Sequence, residues 1–193
     1  DCAVSSAGLM RLALANALHH ARHRTVFQRR LVDQPLMAHV LADMALDVEA
    51  ATALSFRLAA AVDGAAHDER QRAWVRLMTP VTKLWVCKIA PALAYEAMEC
   101  LGGNGYVEEG LLARIYREVP VNAIWEGSGN VMALDMLRVL QREPDAVAQV
   151  LDEITTTAAG HAALTSACTR IKDWLRDPQY IETRTRQVAE ALA

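Results

Sequence analysis

PLMAHVLADMALDVEAATALSFRLAAAVDG, residues 35–64, decides the fold class of this chain. Met37, Leu41, Met44, Val48, Ala51, Leu54, Leu58 and Val62 recur at steps of three and four, the spacing that lines up side chains on one side of an α-helix. Pro35 suits the first helical turn, where its missing N–H costs nothing, and Gly64 supplies the stop. Such a helix is on the order of 40 Å long at 1.5 Å per residue.

The same reading extends in both directions. A first helix is predicted over about residues 4–24. A third starts near Asp68, passes Pro80 and Pro91, which should bend it, and ends at Gly102-Gly103. A short helix is predicted over about 107–117, stopping before Pro120. Another begins after Gly127 and reaches about Arg142, with Pro144 as its stop. Two or three more follow, broken at Gly160 and at Asp177-Pro178. There is no alternating strand pattern and no internal repeat. The expected fold is all-α, an antiparallel helical bundle with additional C-terminal helices.

Composition narrows function by exclusion. Hydrophobic residues make up 53% of the 193 and aromatics only 5%, an Ala- and Leu-rich balance that favours helix packing. A net charge of -3 gives no reason to expect a polyanion as partner. Cys2, Cys87, Cys100 and Cys168 lie far apart without a CxxC, which points to a reducing, cytoplasmic setting. No apolar run approaches the ~20 residues that cross a bilayer, and no signal peptide is present, so no membrane partner is expected. The chain opens without Met in a helical segment and stops in helical pattern at TRQVAEALA, which reads as a piece of a longer protein.

Several motifs fall away. GNGYVEE at 103–109 lacks the third glycine of a dinucleotide loop and follows a helix, not a strand. A nucleophile elbow at Ser128 would need glycine where Glu126 stands. Cys100 falls at a helix C-terminus, which disfavours a thiolate. His19 and His23 share a helix face but have no carboxylate in the same turn, so no metal is expected. Met37, Met44 and the Trp residues read as core.

Three segments remain. RHRTVFQRRLVDQPLM (22–37) sets basic residues and a Phe on a turn, and ECLGGNGY (99–106) closes a long helix on two glycines. YREVPVNAIWEGSGN (116–130) holds a lone acid, Glu126, beside a glycine-loosened turn. An acid near a helix start complements the dipole, but that does not explain the two flanking glycines, which serve where backbone must come close to something.

In these segments the chain resembles the C-terminal helical domain of the acyl-CoA dehydrogenase family. That family carries an R-x-x-F turn, a Q-x-x-G-G-x-G-[FY] turn and an I-[YW]-E-G-[ST] segment in this order and at similar spacing. Residues 1–142 carry the resemblance, and LGGNGYVEEG with IWEGSGN is most similar to its AidB branch, acyl-CoA-dehydrogenase-like proteins of the alkylation response. There 143–193 would be the start of an additional helical region, truncated here.

The resemblance implies that Glu126 is the catalytic base, taking the α-proton of an acyl-CoA thioester while the β-hydrogen leaves as hydride to N5 of FAD. Substrate must desolvate that carboxylate to make it basic, against the helix dipole. Gly127 and Gly129 would let backbone approach the flavin, with Ile124 and Trp125 in the same cofactor-binding segment. Ser128 and Asn130 would donate hydrogen bonds, an N-cap being the alternative for Ser128. Arg24 matches the arginine that contacts the FAD pyrophosphate of the neighbouring subunit, and Phe27 the aromatic beside it. Gly102 and Gly103 match the turn over the adenosine diphosphate half, and Arg117 reads as an ion-pair partner. A shared FAD implies a homodimer or homotetramer.

Three positions depart from the pattern: Glu99 replaces the glutamine before the Gly-Gly turn, Val26 a threonine, and Gln28 a glycine. The other domains that complete the family's site are absent, so the fragment alone is expected to be inactive. The alternative is a flavin-containing, DNA-associated alkylation-response protein with vestigial dehydrogenation. DNA finds no support in residues 143–193, where five Lys and Arg face eight Asp and Glu.

Overall fold

The computed structural model describes residues 1–193, and the fold is all-α, a bundle of helices. The helices are α1 (Cys2–His23), α2 (Pro35–Gly64), α3 (Glu69–Leu101), α4 (Gly103–Tyr106), α5 (Leu111–Asn122), α6 (Gly129–Arg142), α7 (Pro144–Thr157), α8 (Ala162–Leu175) and α9 (Pro178–Leu192). A hairpin of two-residue strands, β1 (Thr25–Val26) and β2 (Arg29–Arg30), and one 3-10 turn, Leu31–Asp33, join α1 to α2. No helix is long and apolar enough to cross a membrane.

Contacts divide the chain into two compact units. One comprises Asp1–Ser55 with Val86–Glu126, and the other Phe56–Trp85 with Gly127–Ala193. In the first, α1 buries Ala3, Ala7, Met10, Leu14 and Ala17, spaced at three and four, and packs against α5. In the second, α6 buries Ala133, Met136 and Val139 and packs against α7 and α9, while α8 packs against α7 and α9.

Most helices stand where the spacing puts them, and the departures have physical causes. The stripe on α2 holds from Leu41 to Leu54, but Val62 is 55% exposed and Ala61 is buried in its place. At about 100° per residue, eight residues rotate roughly 80° off Leu54 and seven only about 20°. α5 begins at Gly110's N-cap rather than near 107, because Val107 is extended and Glu108 pairs with Arg117 (2.5 and 2.8 Å) instead of entering the helix. Arg117 is thus the ion-pair partner expected. α5 also runs through Pro120 to Asn122: proline removes one backbone bond near the helix end, and buried Asn122 secures the last turn by donating to Ser6 Oγ at 3.1 Å. Trp74 is core, but Trp125 is 51% exposed, against the expectation for the Trp residues.

In the second unit two arginines bind elements distant in sequence. Arg57 forks onto Glu153 (2.8–3.0 Å), donates to Gln71 at 3.0 Å and lies 4.2 Å over the Trp74 ring. Arg76 pairs with Asp135 at 3.2 Å and Glu143 at 3.0 Å.

Candidate active site

Glu126 stands where the backbone reverses hand. Beyond α5 the chain tightens, with Ile124 N–H donating to Val121 C=O at 2.9 Å and Trp125 N–H to the same carbonyl at 3.0 Å. Ile124 and Trp125 turn their side chains outward. Glu126 then takes φ 55° and Gly127 φ 106°. The left-handed region costs an L-residue about 1–2 kcal/mol, so the turn is held against strain. It leaves the Glu126 side chain exposed, with Cys2 Sγ donating to Oε2 at 3.2 Å. The acid precedes the N-cap Ser128 by two residues and lies outside the first turn of α6, so the dipole acts on it less than the sequence implied.

The second unit resumes at Gly127. A Cβ there would stand 2.5 Å from Met132 Cε, the end of a flexible side chain that can withdraw, and 3.2 Å from Val131 Cγ1, so it is φ that calls for glycine. Its carbonyl accepts from Nζ of Lys83, a lysine only 8% exposed. Ser128 occupies the N-cap position of α6, but its hydroxyl makes no capping bond. Gly129 is buried and Asn130 exposed. Asn130 borders a groove of about 470 Å³ with Leu134 of α6 and Arg184, Thr185 and Gln187 of α9, beside the kink at Arg184.

Arg24 closes α1 as its C-cap, exposed, with its N–H donating to His20 C=O and its carbonyl accepting from Leu31 N–H, both at 2.8 Å. The hairpin that follows pairs Thr25 with Arg30 and Val26 with Arg29. Its two central residues, Phe27 (φ 50°) and Gln28 (φ 64°), are both left-handed, as a two-residue loop between twisted strands demands. Phe27 is 94% exposed at the tip. Gln28→Gly is expected to stabilise the chain by about 0.5–1 kcal/mol, relief of left-handed strain outweighing the added freedom of the unfolded chain. Urea denaturation measures it, and a loss of stability would show that the turn is not strained at 28.

At the end of α3, Gly102 takes φ 59° and donates to Glu99 C=O at 2.9 Å. An added Cβ at Gly102 or Gly103 meets nothing within 4 Å, so no packing contact of the fold calls for glycine at 103. Gly105 is the opposite case, its Cβ position lying 2.3 Å from Met98 O. Glu99 is exposed beside Tyr95, whose hydroxyl its charge pushes above the ordinary value. Burial, then the charge of Glu96, pushes the Cys100 thiol up to about 11, which keeps it protonated. His23 Nδ1 lies 2.7 Å from His19 C=O, a backbone bond that occupies one of the two rings.

The candidate residues thus fall in three groups along the chain: Arg24 with Phe27 and Glu99 with Gly102 and Gly103, all exposed, and the exposed Ile124 to Glu126 running on covalently into Gly127–Asn130, of which Gly129 is buried. None of Arg24, Phe27 or Glu99 bonds to Glu126. Sequence reasoning missed Cys2 and Lys83. A lysine inside the apolar run VTKLWVCKIA was a signal for Lys83; nothing in the pattern singles out Cys2.

The chain matches the model of the acyl-CoA dehydrogenase C-terminal domain over residues 1–141. It is 48% identical over 179 residues to the putative acyl-CoA dehydrogenase AidB of Escherichia coli (strain K12), covering 92% of this chain and 33% of that protein. Among solved structures it is similar to the apo-form of Bd2924, with TM-score 0.90 at 27% identity over 99% of this chain and 38% of that one. It is also similar to Caenorhabditis elegans ACDH-11 in complex with C11-CoA, with TM-score 0.83 at 29% identity over 99% and 35%. The chain spans about a third of the length of these relatives.

Proposed function

The chain belongs to the acyl-CoA dehydrogenase family, as its C-terminal domain, and on that premise we propose that it supplies the catalytic base and part of the FAD cradle for α,β-dehydrogenation of an acyl-CoA thioester. The observation that carries the reading is the turn at Glu126: two consecutive left-handed residues expose one carboxylate on a strained backbone. Strain of this kind persists where surrounding structure enforces it, and it concentrates at functional sites.

Glu126 takes the α-proton. The bound acyl chain strips water from the carboxylate and so strengthens it as a base. The chemistry that FAD would supply when bound is a hydride acceptor for the β-hydrogen. The chain's residues fit such a group by two observations. Gly103 leaves open space that its own fold does not fill, and the strained hairpin holds Phe27 almost wholly in solvent. Gly127, Ser128, Gly129 and Asn130, with Ile124 and Trp125, would hold the flavin end. Arg24, Phe27, Gly102 and Gly103, with Glu99 bordering them, would hold the pyrophosphate and adenosine end of a neighbouring subunit's cofactor. The protein would then act as a homodimer or homotetramer, in the cytoplasm, with 1–142 as the bundle and 143–193 as the start of a further helical region. The test is whether the full-length protein bleaches its flavin absorbance with a panel of acyl-CoAs. Failure with every chain length and branching would overturn the reading.

Arg24→Ala is expected to weaken FAD retention by about 1.5–3 kcal/mol, the scale of a charge-assisted hydrogen bond, without unfolding the bundle. Flavin occupancy and salt sensitivity equal to wild type would remove Arg24 from the cradle. The DNA-associated alternative has the acidic balance of residues 143–193 against it. This chain should bind duplex DNA no tighter than ~10⁻⁴ M at physiological salt, the weak end of non-specific affinity. Micromolar binding in a fluorescence-anisotropy titration, with a salt slope implying about six phosphates, would reverse the preference.

A further inference from the structure

Two polar rungs join α1 to the end of α5. Cys2 and Ser6 stand one helical turn apart on α1, and Asn122 and Glu126 stand four residues apart where α5 ends. Cys2 Sγ donates to Glu126 Oε2 at 3.2 Å, and Asn122 Nδ2 donates to Ser6 Oγ at 3.1 Å. Ser6 Oγ in turn donates to Cys87 Sγ of α3 at 3.5 Å. Ser6 and Cys87 are 0% and 1% exposed and Asn122 3%, so the second rung is fully inside the unit. A buried polar set with its members paired fixes one geometry, because any slip leaves unpaired groups in a medium that penalises them. Cys2 itself is 6% exposed and therefore has little freedom to swing away. The carboxylate it touches is, by contrast, an exposed side chain on a left-handed residue. Without a fixed donor, its three side-chain torsions would be free.

We infer that Cys2 is a positioning residue for Glu126: the thiol fixes one carboxylate oxygen, leaving the other to meet the substrate proton, and the Ser6–Asn122 rung fixes the helix that carries the thiol. A thiol suits this role because it is a weak donor. It orients the carboxylate while withholding little of the electron density that makes it a base, whereas a stronger donor would stabilise the anion and blunt it. The inference rests on the reading of Glu126 as the base, and its test separates the two.

In the intact, flavin-loaded protein, the infrared S–H stretch of Cys2 is isolated as the difference between wild type and Cys2→Ser. We expect the band to move to higher frequency in Glu126→Gln, since a neutral amide is a poorer acceptor than a carboxylate. In stopped-flow reduction, Cys2→Ala should lower the limiting rate about five- to tenfold with little change in acyl-CoA Kd, and Cys2→Ser should recover part of the loss. A packing role predicts the reverse order, with Ala tolerated in the buried site better than the more polar Ser. A band unmoved by Glu126→Gln, or equal rates in wild type and Cys2→Ala, would overturn the inference while leaving Glu126 as the base if Glu126→Gln is inactive. A Glu126→Gln protein that reduces its flavin at the wild-type rate would overturn both.

Discussion

Glu126→Gln is expected to leave FAD bound to the full-length protein and to slow flavin reduction by an acyl-CoA about 10²–10⁴-fold, the contribution of a positioned general base. Gln keeps the shape of the side chain and an acceptor oxygen, so the Cys2 contact and the turn should survive. No other acid stands ready to replace it along the segment. Asp135, the next acid in sequence, is inside α6 and already paired with Arg76 at 3.2 Å and Arg138 at 3.3 Å. Rapid-mixing absorbance measures the effect, and an unchanged rate with any active acyl-CoA would remove Glu126 from the chemistry.

Gly105→Ala should be the most damaging small substitution to the fold. The new methyl would sit 2.3 Å from Met98 O and 2.9 Å from both Met98 C and Cα, all backbone atoms of α3 that no rotamer change can withdraw. Overpacking of that kind costs about 3 kcal/mol, or roughly 6–12 °C in Tm for a chain of this size. Gly103→Ala, two residues earlier, meets nothing within 4 Å and should leave Tm within a few degrees. In the intact protein the ranking should invert for cofactor retention, because an added methyl at 103 would intrude on the open side of the turn. Thermal melts with flavin-retention measurements separate the two glycines. Equal melting temperatures would show that the close approach at 105 relaxes at little cost.

The contrast shows why the helices were legible and the site less so. Periodicity over many residues sums small preferences, and α2 therefore ends at Pro35 and Gly64 as its sequence implies. The limits of α5 depend on single contacts, Glu108 with Arg117 at one end and Asn122 with Ser6 at the other, and these join residues up to 116 positions apart. The three site segments could be picked out because glycines and a lone acid interrupt apolar patterns. Which glycine serves the fold and which leaves room could not be read, since the difference lies in the atoms facing each Cβ. The residues under Glu126 were hidden for the same reason: Cys2 and Ser6 look like ordinary small residues on an apolar helix face.

The two arginine junctions of the second unit bear on where the molecule can be trimmed. The match to the family model ends at residue 141, but Arg76 is neutralised partly by Glu143 and Arg57 by Glu153, both beyond that limit. Val139 and Met136 are covered by neighbours that include α7 and α9. A chain cut at the end of that match would keep the three site segments yet lose the counter-ion of Arg57, one of two for Arg76, and part of the cover of its last helix. The packing of α6 and the charge balance of two arginines therefore draw on residues beyond the family-model match, and trimming by that match alone would remove them.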